Sequence, residues 1–250
     1  MEESSNTQLA REHLAKLTDK PIMIKSLREV ANELGNQGIR GYLGAVSETS
    51  DYIIIALNEN KPETHESSFV HEMLHKMLDY EGFPKVSVNQ NYAKKNLPPK
   101  LQILLPKLLA YFSSVIHHPE IYKRMREDYN LDMELYFCGL LIQKRNRFDK
   151  MKSDDNQQLI FLNQQAILDG LEYMYYNKNQ KNEILRIFKD KSISAYDSCL
   201  GLHKAISKIG MYTPQSCLTA AEKIKSHIIK YGDKRGLDLP NNMWKAIEIK

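Results

Sequence analysis

Residues 52–80 read YIIIALNENKPETHESSFVHEMLHKMLDY, and this stretch decides how the rest of the chain is read. Its first part, Tyr52-Ile-Ile-Ile-Ala-Leu57, is short, apolar and β-branched, with polar turns on both sides, which predicts a strand. From Asn60 the period changes. Phe69, Val70, Met73, Leu74, Met77 and Leu78 fall at spacings of one and four, one apolar stripe along a helix that ends near Tyr80, before Gly82 and Pro84. Asn60 as cap, Pro62 in the first turn and Glu63 three residues after the cap predict where that helix starts. Its middle carries His71-Glu72-Met73-Leu74-His75.

The HExxH spacing has a direct chemical reading. Residues four apart on a helix share a face, so both imidazoles can reach one ion. Glu72 lies slightly round the helix, where it can take a proton from a water held on that ion. Zinc suits imidazole donors, and a catalytic zinc site keeps one coordination position open for water. The ion lowers the pKa of that water, and Glu72 acts as general base before passing the proton to a leaving amine. With the His and Glu content of this chain, chance would produce HExxH on the order of once or twice in a hundred such sequences. A metal reading is therefore preferred to histidines that merely sit at a polar–apolar border.

Outward from this segment, Ile39 to Val46 reads as a second strand, antiparallel to 52–57 across the SETSD connection. Upstream, Leu9, Leu14 and Leu17 mark a helix. A further helix starts at Ser26, whose Glu29 completes a capping box, and stops at Gly35. Downstream, 85–99 reads as loop. A helix follows to about Ile116, bent or broken at Pro106, and His117-His118-Pro119 marks a kink or a new start. Further helices are expected over 132–142, 159–176, 182–189 and 194–209, from the Thr213-Pro214 cap to Gly232, and near Trp244. The expected fold is α+β and predominantly helical, with a small antiparallel sheet beside the HExxH helix. The polar run over 143–158 is the candidate boundary between a domain over 1–150 and a helical C-terminal region over 151–250.

Composition narrows the function classes. At 250 residues, 42% apolar and 26% charged, the chain can bury a real core. Its net charge of +4 is spread over helices, which argues against nucleic acid as a partner. The basic KRNR at 144–147 reads as a solvated linker, and Tyr173, Tyr175 and Tyr176 as core. The apolar run from Leu101 to Ile116 is too short and too interrupted for a membrane span. An acidic, polar N-terminus and three scattered cysteines, Cys138, Cys199 and Cys217, point to a cytoplasmic, reducing setting.

A strand followed by an HExxH helix resembles the zincin superfamily of metallopeptidases, over residues 26 to about 130. The resemblance implies His71 and His75 as zinc ligands and Glu72 as catalytic base, with a peptide or protein as substrate. It excludes the metzincin form, because Leu78 and Glu81 stand where that form has glycine and its third histidine. Lys76 departs from the uncharged residue common after the second histidine. A gluzincin-like or divergent zincin takes its third ligand from farther on. The candidates are His118, then Glu120, then His117, with the alternative that these residues only complement helix termini. Asp79 could orient His75, and Tyr80 or Tyr122 could donate to an oxyanion. Other readings are a zincin-like binding protein without turnover and a helical interaction protein. His13, His65, His203 and His227 have no partner at ligand spacing.

Overall fold

A computed structural model describes residues 4–33, 35, 42–131, 164, 167, 168, 182, 186, 189 and 193–250. Its contacts group into two compact units, Met1–Gly82 with Ile121–Tyr136, and Phe83–Glu120 with Phe137–Lys250.

The first unit opens with α1 (Ser5–Ala15), capped by Ser4, whose Oγ accepts the Thr7 N–H at 3.2 Å. Strand β1 (Ile22–Ser26) runs directly into α2 (Leu27–Glu33). The capping box at that junction is formed. The Glu29 N–H donates to Ser26 Oγ at 3.1 Å, and the Ser26 N–H donates to Glu29 Oε2 at 2.7 Å. Gly35 follows with φ 63°, the left-handed stop. The sequence reading has no strand before Ser26; Ile22–Ser26 becomes one because β3 supplies its hydrogen bonds.

Strands β2 (Gly44–Glu48) and β3 (Ile53–Leu57) pair antiparallel, with Val46 opposite Ile55. β1 pairs with β3 in parallel, from Ile22 opposite Ile53 to Ser26 opposite Leu57. The order is β1-β3-β2, so the sheet is mixed and not purely antiparallel. The central strand is the most apolar, with Ile53, Ile55 and Ala56 buried, as a strand covered on both faces must be.

Beside this sheet lies α3 (His65–Tyr80), preceded by a 3-10 turn over Pro62–Thr64. Asn60 does not cap it. Asn58 does the local hydrogen bonding instead: its Oδ1 accepts the Asn60 N–H at 3.0 Å, and its carbonyl accepts from His65 Nε2 at 2.8 Å. α3 packs on α1 and against β2 and β3. Phe69, Val70, Met73, Leu74, Met77 and Leu78 are all buried. The helical stripe read from the sequence is the face that holds α3 in place.

The second unit contains β4 (Val86–Val88), α4 (Gln90–Asn96) and α5 (Pro99–Gln102). It continues with α7 (Ile193–Ile209), α8 (Pro214–Asp233), α9 (Asp238–Lys245) and β5 (Ile247–Ile249). The stretch expected as loop thus holds a strand and a helix. β4 is not legible locally because its partner is the chain's last strand, with Val86 opposite Ile249. α8 carries the expected Thr213 cap, with the Ser216 N–H on Thr213 Oγ1 at 3.2 Å. α8 and α9 come so close at Gly232 that a Cβ there would stand 1.9 Å from Asn241 Oδ1. Trp244 is fully buried against Phe112, with ring centroids 5.4 Å apart at 87°.

Helix α6 (Leu105–Glu127) contributes to both units, the division falling between Glu120 and Ile121. It starts with Pro106 in its first turn, after a break at Ile103 and Leu104, in line with the expected interruption. It then runs on through His117-His118-Pro119 as one helix, so the stretch is not the new start that was one of the two expectations there. Pro119 has no N–H to offer the carbonyl of Val115, four residues back. The helix persists because Val115, Ile116, Ile121, Tyr122 and Met125 are all buried on either side of that gap.

The chain is α+β and predominantly helical, with the three-stranded sheet beside the HExxH helix. The polar run over 143–158, the helix over 132–142, Cys138, the basic 144–147 and Tyr173, Tyr175 and Tyr176 lie outside the described residues. So do the helices over 159–176 and 182–189, except residues 164, 167, 168, 182, 186 and 189. No helix among the described residues is long and apolar enough to cross a membrane.

Candidate metal centre

Four residues make just over one helical turn, so α3 presents His71 and His75 one above the other. Their ring centroids are 4.9 Å apart and their planes meet at 77°. Two rings at that spacing and angle can each turn a nitrogen towards one point. His118 of α6 joins them: one ring nitrogen from each of His71, His75 and His118 lies within 4.8 Å of the others. His71 is 3% and His118 7% exposed, and His75 is half-buried. Three imidazoles, two of them buried, are a donor set suited to a borderline transition-metal ion. Among the described residues this is the group of histidine, cysteine and carboxylate side chains placed to hold one.

The two faces of α6 sort the candidates of the 117–120 stretch. His118 and Tyr122, four apart, share one face. The fully buried Tyr122 ring lies against His71, with centroids 5.7 Å apart and planes 37° apart. His117 and Glu120, three apart, share another. His117 Nε2–H donates to the Pro84 carbonyl at 3.0 Å, and its ring meets Phe83 edge-on at 6.4 Å. Glu120 is buried on that side near Cys217. Burial, and after it the Glu120 charge, pushes the Cys217 thiol up to about 12, and Cys217 Sγ donates to the Ile116 carbonyl at 3.3 Å. The structure therefore brings His118 to His71 and His75, and does not bring His117 or Glu120 there.

Glu72 follows His71 by about 100° round the helix and points to the first residue of β2. A Cβ on Gly44 would meet Glu72 Cγ at 3.0 Å and Oε1 at 3.1 Å. Burial pushes the Glu72 carboxyl up to about 8, although part of the residue's surface stays accessible.

Lys76, the departure from the usual pattern, has a structural explanation. Its Nζ bridges Asp79 Oδ2 at 2.5 Å and Glu48 Oε2 at 3.5 Å. Glu48 also accepts from Lys20 Nζ and from the Tyr80 hydroxyl, each at 2.6 Å. These two bonds, Lys20 first, hold its carboxyl down to about 2. Asp79 and Tyr80, considered as a histidine-orienting group and an oxyanion donor, are thus spent on Lys76 and Glu48. Sequence reasoning missed Gly44 and Glu48, because neither has a signal until β2 is laid beside α3.

The remaining histidines have local roles. His13 Nδ1 bonds the Tyr129 hydroxyl at 2.9 Å, His227 Nε2 bonds Ser198 Oγ at 2.6 Å, and His203 Nε2 bonds Ser207 Oγ at 3.2 Å. No protein-family model, no curated protein and no solved structure matches this chain.

Proposed function

We propose that this chain is a zinc-dependent peptide hydrolase of zincin type, acting on an intracellular peptide or protein. One observation carries the reading: three imidazoles converge beside a desolvated carboxylate, Glu72, that shares the helix of two of them. Zinc–nitrogen distances of about 2.0–2.1 Å imply nitrogens about 3.4 Å apart in a tetrahedral site. Nitrogens already within 4.8 Å reach that by small ring rotations.

In this reading His71, His75 and His118 hold the ion, and the ion supplies Lewis acidity that polarises a scissile carbonyl and acidifies water. Glu72 Oε takes the proton of the attacking water and delivers it to the nitrogen of the leaving amine. Burial raises the affinity of that carboxyl for a proton, which suits it to accepting one and handing it on.

The test begins with metal analysis of protein purified without added metal, where about one equivalent of zinc is expected. Glu72→Gln should keep that zinc and lower peptide cleavage by about 10²- to 10⁴-fold. Protein that binds no zinc, even on reconstitution, would overturn the reading. Zinc without cleavage of any peptide in a diverse library would leave a metal-dependent binding protein.

A further inference from the structure

We infer that Gly44 is a positioning residue for the Glu72 carboxylate, an inference that rests on the peptidase reading above. Gly44 begins β2, one of the two outer strands of the sheet, opposite Leu57 of β3. It is not among the residues with positive φ, so its backbone accepts an L side chain without strain. What crowds one is Glu72. A Cβ would fall 3.0 Å from Cγ, 3.1 Å from Oε1 and 3.4 Å from Cδ of that side chain. The first two are closer than ordinary carbon–carbon and carbon–oxygen contacts.

Something would have to move, and the surroundings say which part. The strand is fastened at both ends. Before Gly44, the Leu43 carbonyl accepts the Asn58 N–H at 3.1 Å, and the Tyr42 carbonyl accepts Asn58 Nδ2 at 2.7 Å. After it, Glu48 is tied to Lys76 and Tyr80 of α3 and to Lys20. The helix is fixed as well, by Phe69, Val70, Met73 and Leu74 in the core. The soft part is the Glu72 side chain, which turns about its χ angles at little cost. A methyl group at position 44 therefore displaces the carboxylate and leaves the histidine-bearing backbone where it is. The bare backbone of β2 is the wall that sets where Glu72 rests and that strips water from one side of it.

The test is Gly44→Ala, alone and combined with Glu72→Ala. Gly44→Ala should lower kcat on the order of 10- to 100-fold, the penalty typical of a misplaced catalytic group, with KM and zinc content unchanged. A purely structural defect would instead reduce zinc content or raise KM. The second readout is the melting temperature of metal-free protein. Gly44→Ala should change Tm less favourably when Glu72 is present than when it is absent. It should leave Tm unchanged or raise it in the Glu72→Ala background, where the crowded atoms are gone and alanine restricts the unfolded chain. A kcat equal to the parent's, or the same Tm change in both backgrounds, overturns the inference. If the parent binds zinc and cleaves peptide, that failure leaves the peptidase reading standing. A parent with neither overturns the peptidase reading and this inference with it.

Discussion

Helices α3 and α6 bring histidines to one cluster by different routes. In α3 the periodicity itself does the aligning: His71 and His75 stand four residues apart, and any helix through them puts both rings on one face. In α6 the helix sorts neighbours apart. His117 and His118 are adjacent in sequence yet about 100° apart round the axis, so one bonds the Pro84 carbonyl while the other meets the α3 pair. A ligand pair within one helix is decided by spacing. A ligand from a second helix is decided by that helix's rotation, which depends on packing such as the burial of Tyr122 against His71.

That contrast can be broken or sharpened by substitution. The largest effect is expected at Tyr122, which is fully buried. Tyr122→Ala should cost about 3–5 kcal/mol in chemical denaturation, and zinc affinity should fall with it as α6 loses its bearing. A zinc affinity untouched by that change would mean the rotation of α6 is set elsewhere.

For the proposed centre, His118→Ala should weaken zinc binding by more than about 100-fold in a chelator competition, because two of the three clustered imidazoles remain. His117→Ala should leave that affinity nearly unchanged and cost about 1–3 kcal/mol of stability, the penalty for leaving the buried Pro84 carbonyl without its donor. The opposite pattern would reverse the assignment of the two faces.

Pro119 offers a gentler perturbation. Pro119→Ala restores an N–H for the Val115 carbonyl and should raise stability by about 1 kcal/mol, with the affinity of the proposed centre unchanged.

The smallest effect concerns the anchor of β2 on α3. Glu48 has a folded pKa of about 2, below its unassisted 4.5. Its stabilising contribution is thus complete above pH 4.5 and is lost as pH falls towards 2. Glu48→Gln should therefore cost about 1 kcal/mol at pH 7, and the gap from the parent should close in denaturation curves near pH 2.

Legibility of the fold followed the range of the interactions. The α3 stripe, the Ser26–Glu29 box, the Thr213 cap and the antiparallel pairing of β2 with β3 rest on residues close in sequence, and each is found in the structure. The strands β1, β4 and β5 were not readable, because a short strand exists only where a partner completes its hydrogen bonds. A helix restart at Pro119, one of the two readings of that step, is not found, for a related reason. A proline weakens a helix locally, and buried side chains on both flanks outweighed that cost.

Sequence by itself determined that two imidazoles and a carboxylate would stand on one helix, since 3.6 residues per turn leaves no other arrangement. It also reduced the third donor to a short stretch, 117–120, without choosing within it. Only the tertiary structure chose His118, turned Glu120 and His117 away, spent Asp79 and Tyr80 on other partners, and set Gly44 beside Glu72. The physical reason is that side-chain direction within an element is fixed by backbone geometry. The rotation and approach of separate elements are fixed by cores and pairings assembled from distant residues.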